Sequence, residues 1–188
     1  MAHKKVTKLA VIGLIIGMLL LIKGAWIPLK AYAAQVLIEL AWDEALQGHS
    51  NVKAWPWADT TPIARLSNPR LKISLIILSG VSGHSLAFGP GHDSNSPLPG
   101  EAGNSVIAGH RDTHFAFLRS LRENDLLVIE NNQGGKITYT VQSLEIVSAD
   151  ELYLQQTREH WMTLITCYPF DSLQAGSKLR YVVFAKAL

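Results

Sequence analysis

Cys167 is the only cysteine in the chain, and it is the residue best suited to nucleophilic chemistry. It follows the apolar run TLIT at residues 163–166 and is separated by one residue from Pro169, which is expected to end a strand. Cys167 therefore lies near the C-terminal end of a strand, where a side chain can reach a cleft. A thiol becomes a nucleophile when a base or a positive charge favours its thiolate form. The alternative is a buried inert thiol. With a single cysteine in the chain, an internal disulfide and a Cys-based zinc site are both excluded.

The base that would activate this thiol is expected among the seven histidines. His110 has the strongest local pattern, because it follows VIAG at residues 106–109 and so ends a second predicted strand. His84 and His92 lie in a long loop and could line a cleft, although loop histidines are more often solvated. His114 follows His110 by four residues, a spacing that suits a metal pair on a helix, but a strand end and the missing third ligand argue against it. The sequence therefore predicts His110 as the acid/base partner.

Arg180 is the third candidate and lies on the next apolar strand, 13 residues after Cys167. A guanidinium inside an apolar strand is costly unless it is paired or used. Its planar set of donors fits a carboxylate or a developing oxyanion, and adjacent antiparallel strands would bring it close to Cys167. From spacing alone, a surface arginine on the outer face of an edge strand is an equally good interpretation.

These candidates are set in a region of many short predicted strands with glycine-rich turns, a pattern that favours a closed barrel or a sandwich. The strand-like part of the sequence begins at Ile63, and strands are predicted at residues 71–78, 106–108, 126–129, 136–147, 161–166 and 179–185. Residues 131–135 predict a hairpin turn, and residues 79–105 form a loop long enough to be functional or to carry local structure. A short helix is predicted at residues 114–121, with Asp112 as its cap in preference to a role in orienting His110.

The N-terminal region predicts a membrane anchor. Residues 9–29 are apolar except for Lys23, and their 21 residues match the length that spans a bilayer. Three lysines among the first eight residues predict a cytoplasmic N-terminus and an external domain. A cleaved signal peptide is the alternative, because AYA at residues 31–33 resembles a cleavage site, although it lies far beyond residue 22.

The rest of the chain is expected to form one domain behind a short connection. Residues 31–47 predict a helix ended by Gly48, either a stalk or a helix packed on the domain, and residues 49–61 form a Trp/Pro linker whose two tryptophans are expected to pack onto the domain. The expected segments are 1–30 for the cytoplasmic tip and anchor, 31–60 for stalk and linker, and 61–188 for the catalytic domain. Of 17 basic and 15 acidic residues, twelve of each lie in residues 48–188, and this neutral charge argues against a nucleic-acid partner.

Three segments resemble, in order, the signature segments of the sortase family: AGHR at 108–111, TLITC at 163–167 and LRYVV at 179–183. The segments GPGH at 89–92 and PG…N at 99–104 are also similar to sortases, and WPWADT at 55–60 resembles the proteobacterial members.

The resemblance implies an all-β fold, a closed eight-stranded β-barrel with short helices, behind a transmembrane helix. It implies that Cys167 attacks the Thr–Gly or Thr–Ala bond of an LPxTG-like sorting signal and that an amine resolves the thioacyl enzyme, with His110 as acid/base and Arg180 at the oxyanion. The implied partners are proteins bearing that signal, an amine acceptor and the inner membrane, with the domain on the periplasmic side. Some sortases bind calcium through acidic residues, but the acids here make no convincing cluster, so no metal or other cofactor is expected; those considered are Asp93, Glu101, Asp150 and Glu151.

Two other classes of function remain as alternatives. An envelope cysteine protease would form the same acyl enzyme and release it to water, but papain-like enzymes place Cys before His, the reverse of the order here. A peptidoglycan L,D-transpeptidase would need a glycine before the cysteine, where this chain has Thr166. The non-enzymatic alternative is a membrane-anchored binding module with a structural thiol.

Overall fold

A computed structural model describes residues 2–154, 157–172 and 176–188, with the backbone alone for residues 2–12. The three lysines that precede the apolar run therefore have side chains outside the described part of the chain, and the basic N-terminus stays a sequence prediction. The chain divides into two compact units, Met1–Val36 and Leu37–Leu188.

One long α-helix, α1, covers Ala2–Leu46 and contains Pro28. The predicted helix at residues 31–47 is thus the last part of a longer one, and Gly48 follows its end with a φ of +91°, a conformation that favours glycine. In the first unit the side chains from residue 13 to residue 33 are almost all exposed and mostly apolar. The segment Gly13–Leu46 is long and apolar enough to cross a membrane.

In the second unit, the end of α1 packs on the domain. Ile38 and Trp42 are buried in a small cluster with Ile76 and Leu78 of a neighbouring strand. For these residues the packed helix, and not a free stalk, is the better description. Of the two linker tryptophans, Trp55 joins this cluster, but Trp57 is 79% exposed, so the prediction that both would pack is only half right.

Eight strands form a closed barrel in the order β1-β2-β3-β4-β7-β8-β6-β5, which confirms the predicted closed eight-stranded barrel. The pairs β2/β3 and β4/β7 are parallel and the other pairs are antiparallel. The strands are β1 Pro62–Asn68, β2 Ile73–Ser79, β3 Gly91–His92, β4 Gly103–Ala108, β5 Leu126–Asn131, β6 Lys136–Ser148, β7 His160–Tyr168 and β8 Leu179–Ala187.

The barrel interior is filled by side chains that alternate along the strands, as the period of two requires. On β7, for example, Met162 and Leu164 belong to the main core cluster, and on β8 Val183 and Ala185 do. This alternation leaves the intervening side chains on the outer face of the barrel, and that face carries the site described below.

The long loop between β2 and β4 carries structure of its own. It contains the short helix α2, Gly83–Leu86, and the two-residue strand β3, neither of which was predicted. The turn at residues 131–135 joins β5 to β6 as predicted, whereas the helix predicted at 114–121 is a shorter 3-10 helix, Ala116–Ser120.

A buried carboxylate fastens the loop that follows this helix. Asp125, whose side chain is 8% exposed, accepts hydrogen bonds from Arg70 Nε at 2.6 Å and from the Arg122 amide at 2.8 Å. The hydrogen bond from Arg70 is the main reason why the pKa of Asp125 lies below its usual value.

We expect Asp125→Ala to lower the free energy of unfolding by about 1–3 kcal/mol at neutral pH, since it removes the buried carboxylate that accepts these hydrogen bonds. Because the folded-state pKa is lowered, this contribution is complete above the unfolded pKa of about 3.9 and is lost as the pH falls through the folded-state value. Urea unfolding of both proteins across this range should show their difference shrinking in acid. Glu123→Ala, at an exposed acid nearby, should change stability by less than about 0.5 kcal/mol, and a pH-independent Asp125→Ala difference would contradict the assignment.

Candidate active site

Cys167 lies on the outer face of β7, one residue before the strand ends at Tyr168. Met162 and Leu164 point into the core, so the alternation of side chains turns Cys167 away from it. Its side chain is half-buried. The predicted position at a strand end is therefore confirmed, and the thiol is not part of the hydrophobic core cluster.

Arg180 is the direct partner of Cys167 in the antiparallel pair β7/β8. Directly opposite residues have Cβ atoms about 4.5–5.5 Å apart and project to the same face. The guanidinium Nη1 donates to the carbonyl oxygens of Ser177, at 2.6 Å, and Leu179, at 3.0 Å. Within the described part of the chain, Nε and Nη2 make no hydrogen bond.

His110 is brought to Cys167 by the parallel pair β4/β7. Ala108, the last residue of β4, pairs with Ile165. The following residue, Gly109, donates its amide to the Ile165 carbonyl at 3.1 Å, and its carbonyl accepts from Thr166 Oγ1 at 2.7 Å. The backbone amide and carbonyl of Gly109, the residue before His110, are thus hydrogen-bonded to the two residues that precede Cys167.

A cleft of about 560 Å³ joins these residues. Its lining includes His110 and Cys167, together with Phe170 and Ser172 from the segment that follows β7. Arg180 is not among the described residues that line the cleft. It is placed beside Cys167 by the pairing of β7 with β8. The arrangement places a thiol and an imidazole at one opening and a guanidinium on the adjacent strand.

Gly109 is required by packing at this point. A Cβ atom built on Gly109 would lie 2.7 Å from the ring of Phe115, a buried residue of the core cluster. The turn after His110 closes over that ring, with the Phe115 amide donating to the His110 carbonyl at 3.0 Å. The glycine therefore allows the turn that holds His110 at the mouth of the cleft.

Comparison with known proteins gives the family. Residues 66–188, well over half of the chain, match the Sortase domain family. This chain belongs to the sortase family. Members of this family are known as cysteine transpeptidases.

Sortase D of Bacillus subtilis is 34% identical over 124 residues, which are 64% of this chain and 61% of that protein. Sortase A from Corynebacterium diphtheriae has a similar structure, with a TM-score of 0.61, 29% identity and coverage of 70% of this chain and 63% of that one. A Clostridium perfringens Sortase D5 transpeptidase matches with a TM-score of 0.60, 28% identity and coverage of 68% and 79%. The chain thus spans less than two thirds of the length of the first two. The predicted sortase-like barrel is confirmed, and the resemblance to proteobacterial members stays a prediction.

Three other histidines of this sortase domain have environments that differ from that of His110. His92 is buried, with Nε2 hydrogen-bonded to the Pro97 carbonyl at 2.8 Å, so it stabilises the long loop. His84 is exposed and lies 3.1 Å from Asp59. Burial, and secondly the charge of nearby His110, hold the pKa of His114 below its usual value.

Two residues next to His110 differ from expectation. Phe115 occupies the N-cap position of the 3-10 helix, which has no side-chain cap, so the prediction of Asp112 as a cap is wrong, and Asp112 lines the cleft instead. Arg111, for which the sequence predicted no role, donates from Nη2 to the Ser172 carbonyl at 2.7 Å and ties the His110 turn to the segment after β7. In the sequence, the position of Arg111 directly after the strand-end histidine is the one feature that could have indicated this contact.

Among the described residues, no group of three His, Cys, Asp or Glu side chains lies close enough to hold a metal ion. The four acids weighed for calcium include Asp93, whose carboxylate accepts from the Asn95 amide at 3.0 Å, and Glu101, which accepts from the Leu98 amide at 3.1 Å. These carboxylates hold local turns.

Proposed function

We propose that this protein is a membrane-anchored transpeptidase that cleaves an LPxTG-like sorting signal and transfers the acyl group to an amine. Cys167 is the nucleophile, His110 the acid/base and Arg180 the oxyanion donor. The observation that carries this proposal is the shared cleft of Cys167 and His110, with Arg180 opposite Cys167 on the neighbouring strand.

In the first half of the reaction, the Cys167 thiolate attacks the carbonyl carbon of the scissile peptide bond, and the carbonyl oxygen becomes an oxyanion. Collapse of this intermediate breaks the C–N bond, and protonated His110 gives its proton to the departing amine nitrogen. The acyl group stays on Cys167 as a thioester. Donors aimed at the developing oxyanion stabilise the transition state more than the ground state, and Arg180 can supply them through Nε and Nη2.

In the second half, an acceptor amine attacks the thioester carbonyl. Neutral His110 removes the proton of this amine, the C–S bond breaks, and the Cys167 thiolate is regenerated with a new amide bond in the product. Water in place of the amine would give a carboxylic acid, which is the outcome expected of a cysteine protease.

The test uses the full chain in detergent with a library of LPxTG-like peptides. Mass spectrometry should detect a thioacyl adduct on Cys167, and added amines such as triglycine should shift the product from the acid to the amide. An adduct whose product is unchanged by amines would make the enzyme a protease. The absence of an adduct, together with a thiol that resists alkylation, would support the non-enzymatic binding module.

Arg180 gives a prediction about the oxyanion. We expect Arg180→Ala to lower kcat by about 10²–10³, the loss usual for one oxyanion donor, with little change in KM. Arg180→Lys should lose much of the same rate, because an ammonium group lacks the planar set of donors. Steady-state kinetics with circular dichroism as a folding check measures both. Near-normal turnover of Arg180→Ala would disprove the role, and poor folding of Arg180→Ala with full activity of Arg180→Lys would make the residue structural.

We also propose that the protein is anchored in the inner membrane with its catalytic domain, residues 61–188, on the periplasmic side, behind a tip and anchor at 1–30 and a connection at 31–60. The support is the exposed apolar part of α1, which is long enough to cross a bilayer. A C-terminal alkaline phosphatase fusion should be active, and a C-terminal fluorescent protein that folds only in the cytoplasm should be dark. Recovery of a mature chain that begins at Ala34 would show a cleaved signal peptide.

A further inference from the structure

A second cleft, of about 300 Å³, lies on the outer face of the barrel away from the cleft of Cys167 and His110. It is lined by three aromatic side chains, Tyr153, Trp161 and Phe184, and by the carboxylate of Glu145. The proposed reaction uses none of these four residues.

The two clefts share one face of the same sheet. Trp161 precedes Cys167 by six residues on β7, so both project outward and lie about 20 Å apart along the strand. Glu145 pairs with Val182, which pairs with Ile165, so Glu145 is level with a residue two positions before Cys167. With two strand spacings across the sheet, its backbone lies about 12 Å from that of Cys167.

Trp161 is held in place before any ligand arrives. Its indole Nε1 donates to Glu159 Oε2 at 3.0 Å, and Lys186 Nζ lies 5.7 Å from the ring centroid. Lys186 is itself paired with Glu159 at 2.8 Å, so both partners of the indole are held together. A fixed aromatic ring binds a ligand with a smaller loss of side-chain entropy than a mobile one.

Glu145 gives the cleft its charge. Its carboxylate accepts a hydrogen bond from Ser143 Oγ at 2.9 Å and has no ion-pair partner among the described residues. Tyr153 is 78% exposed, so its ring is free to contact a ligand. A carboxylate beside several aromatic rings attracts cations, through charge and through the negative faces of the rings.

We propose that this cleft binds a basic side chain, arginine or lysine, of the polypeptide substrate whose scissile bond is at Cys167. An extended chain covers about 3.3–3.6 Å per residue, so the basic residue would lie about four to six positions from the scissile bond. The inference rests on the proposed function for its link to Cys167, but binding of a cation in the cleft requires no turnover.

Binding is tested by NMR on the full chain in detergent micelles, with Trp161→Phe to assign the indole signal. N-acetyl-arginine methylamide should shift the Trp161 indole signal in a saturable way, and the uncharged isostere N-acetyl-citrulline methylamide should not. Glu145→Gln should weaken arginine binding at least about threefold, whereas the matched change at an exposed acid outside the cleft, Glu123→Gln, should leave it unchanged. Equal shifts with citrulline, no effect of Glu145→Gln, or shifts with N-acetylglucosamine alone would overturn the proposal.

A kinetic experiment locates the basic residue in the substrate. The starting point is a peptide that the enzyme is known to cleave. At each position from three to eight residues on either side of its scissile bond, one peptide with arginine and one with citrulline are compared. We expect kcat/KM to favour arginine by about threefold to thirtyfold at one position, and this preference to disappear in Glu145→Gln. A preference that survives Glu145→Gln would overturn the link to this cleft. Failure of every peptide to form a thioacyl adduct would instead contradict the proposed function, while the NMR result would still decide whether the cleft binds cations.

Discussion

Replacement of Cys167 by alanine is expected to abolish turnover and to leave the fold intact. Without the sulfur there is no thioester, so the reaction loses its covalent intermediate as well as its nucleophile. The fold should persist because Cys167 is half-buried on the outer face of β7 and is not a member of the core cluster. We expect the thermal unfolding midpoint of Cys167→Ala to stay within a few degrees of that of the parent protein, as for most changes outside a core.

Cys167→Ser tests the same assignment with nearly the same shape. A hydroxyl is far harder to ionise than a thiol, so this variant should also be close to inactive and should form no adduct with a peptide substrate. Alkylation of the parent protein should stop activity in step with modification of its single thiol. Substantial activity in Cys167→Ala would remove Cys167 from the mechanism, whatever the other variants do.

The barrel could largely be predicted because its strands carry local patterns. On β6, for example, Tyr139 and Val141 are buried and alternate with more exposed residues, and the predicted span of 136–147 differs from the observed strand only at one end. The strand β3 could not be predicted, since two residues, Gly91 and His92, have no period. They form a strand only because β2 and β4 pair with them on either side.

Long-range packing explains the other differences. The sequence left the end of α1 open between a stalk and a packed helix, and burial of Ile38 and Trp42 against β2 decides for packing. Trp55 and Trp57 are separated by one proline, so their local sequence is nearly the same. Trp55 packs against Phe88, with ring centroids 4.9 Å apart, whereas Trp57 is 79% exposed. Which of two neighbouring tryptophans is covered depends on the position of Phe88, two residues after the end of α2, and the local sequence does not specify that position.

The candidate site also has features that the local sequence predicts and features that depend on long-range packing. Strand-end positions for Cys167 and His110 could be read from the sequence, because an apolar run that stops at a reactive residue is a local signal. The direct pairing of Cys167 with Arg180 depends on the register of two strands, and spacing alone left a surface position equally possible. The contact from Arg111 to Ser172 joins two segments that are distant in sequence, so only the fold reveals it.

His110→Ala is expected to lower kcat/KM by about 10²–10⁴, the range for loss of a positioned acid/base, since the leaving amine then lacks its proton donor. The fold should be unaffected because His110 is exposed, and added imidazole should restore part of the activity. His84→Ala, at another exposed histidine, is the matched control and should change kcat/KM by less than about threefold. His114→Asn should also have a small effect, because burial lowers the pKa of His114 and keeps it neutral near pH 7, so it places no charge beside His110. His92→Ala is expected to lower stability more than rate, since it removes the buried hydrogen bond between the His92 ring and the Pro97 carbonyl. If His92→Ala, corrected for its folded fraction, lost more activity than His110→Ala, the acid/base role would belong to His92.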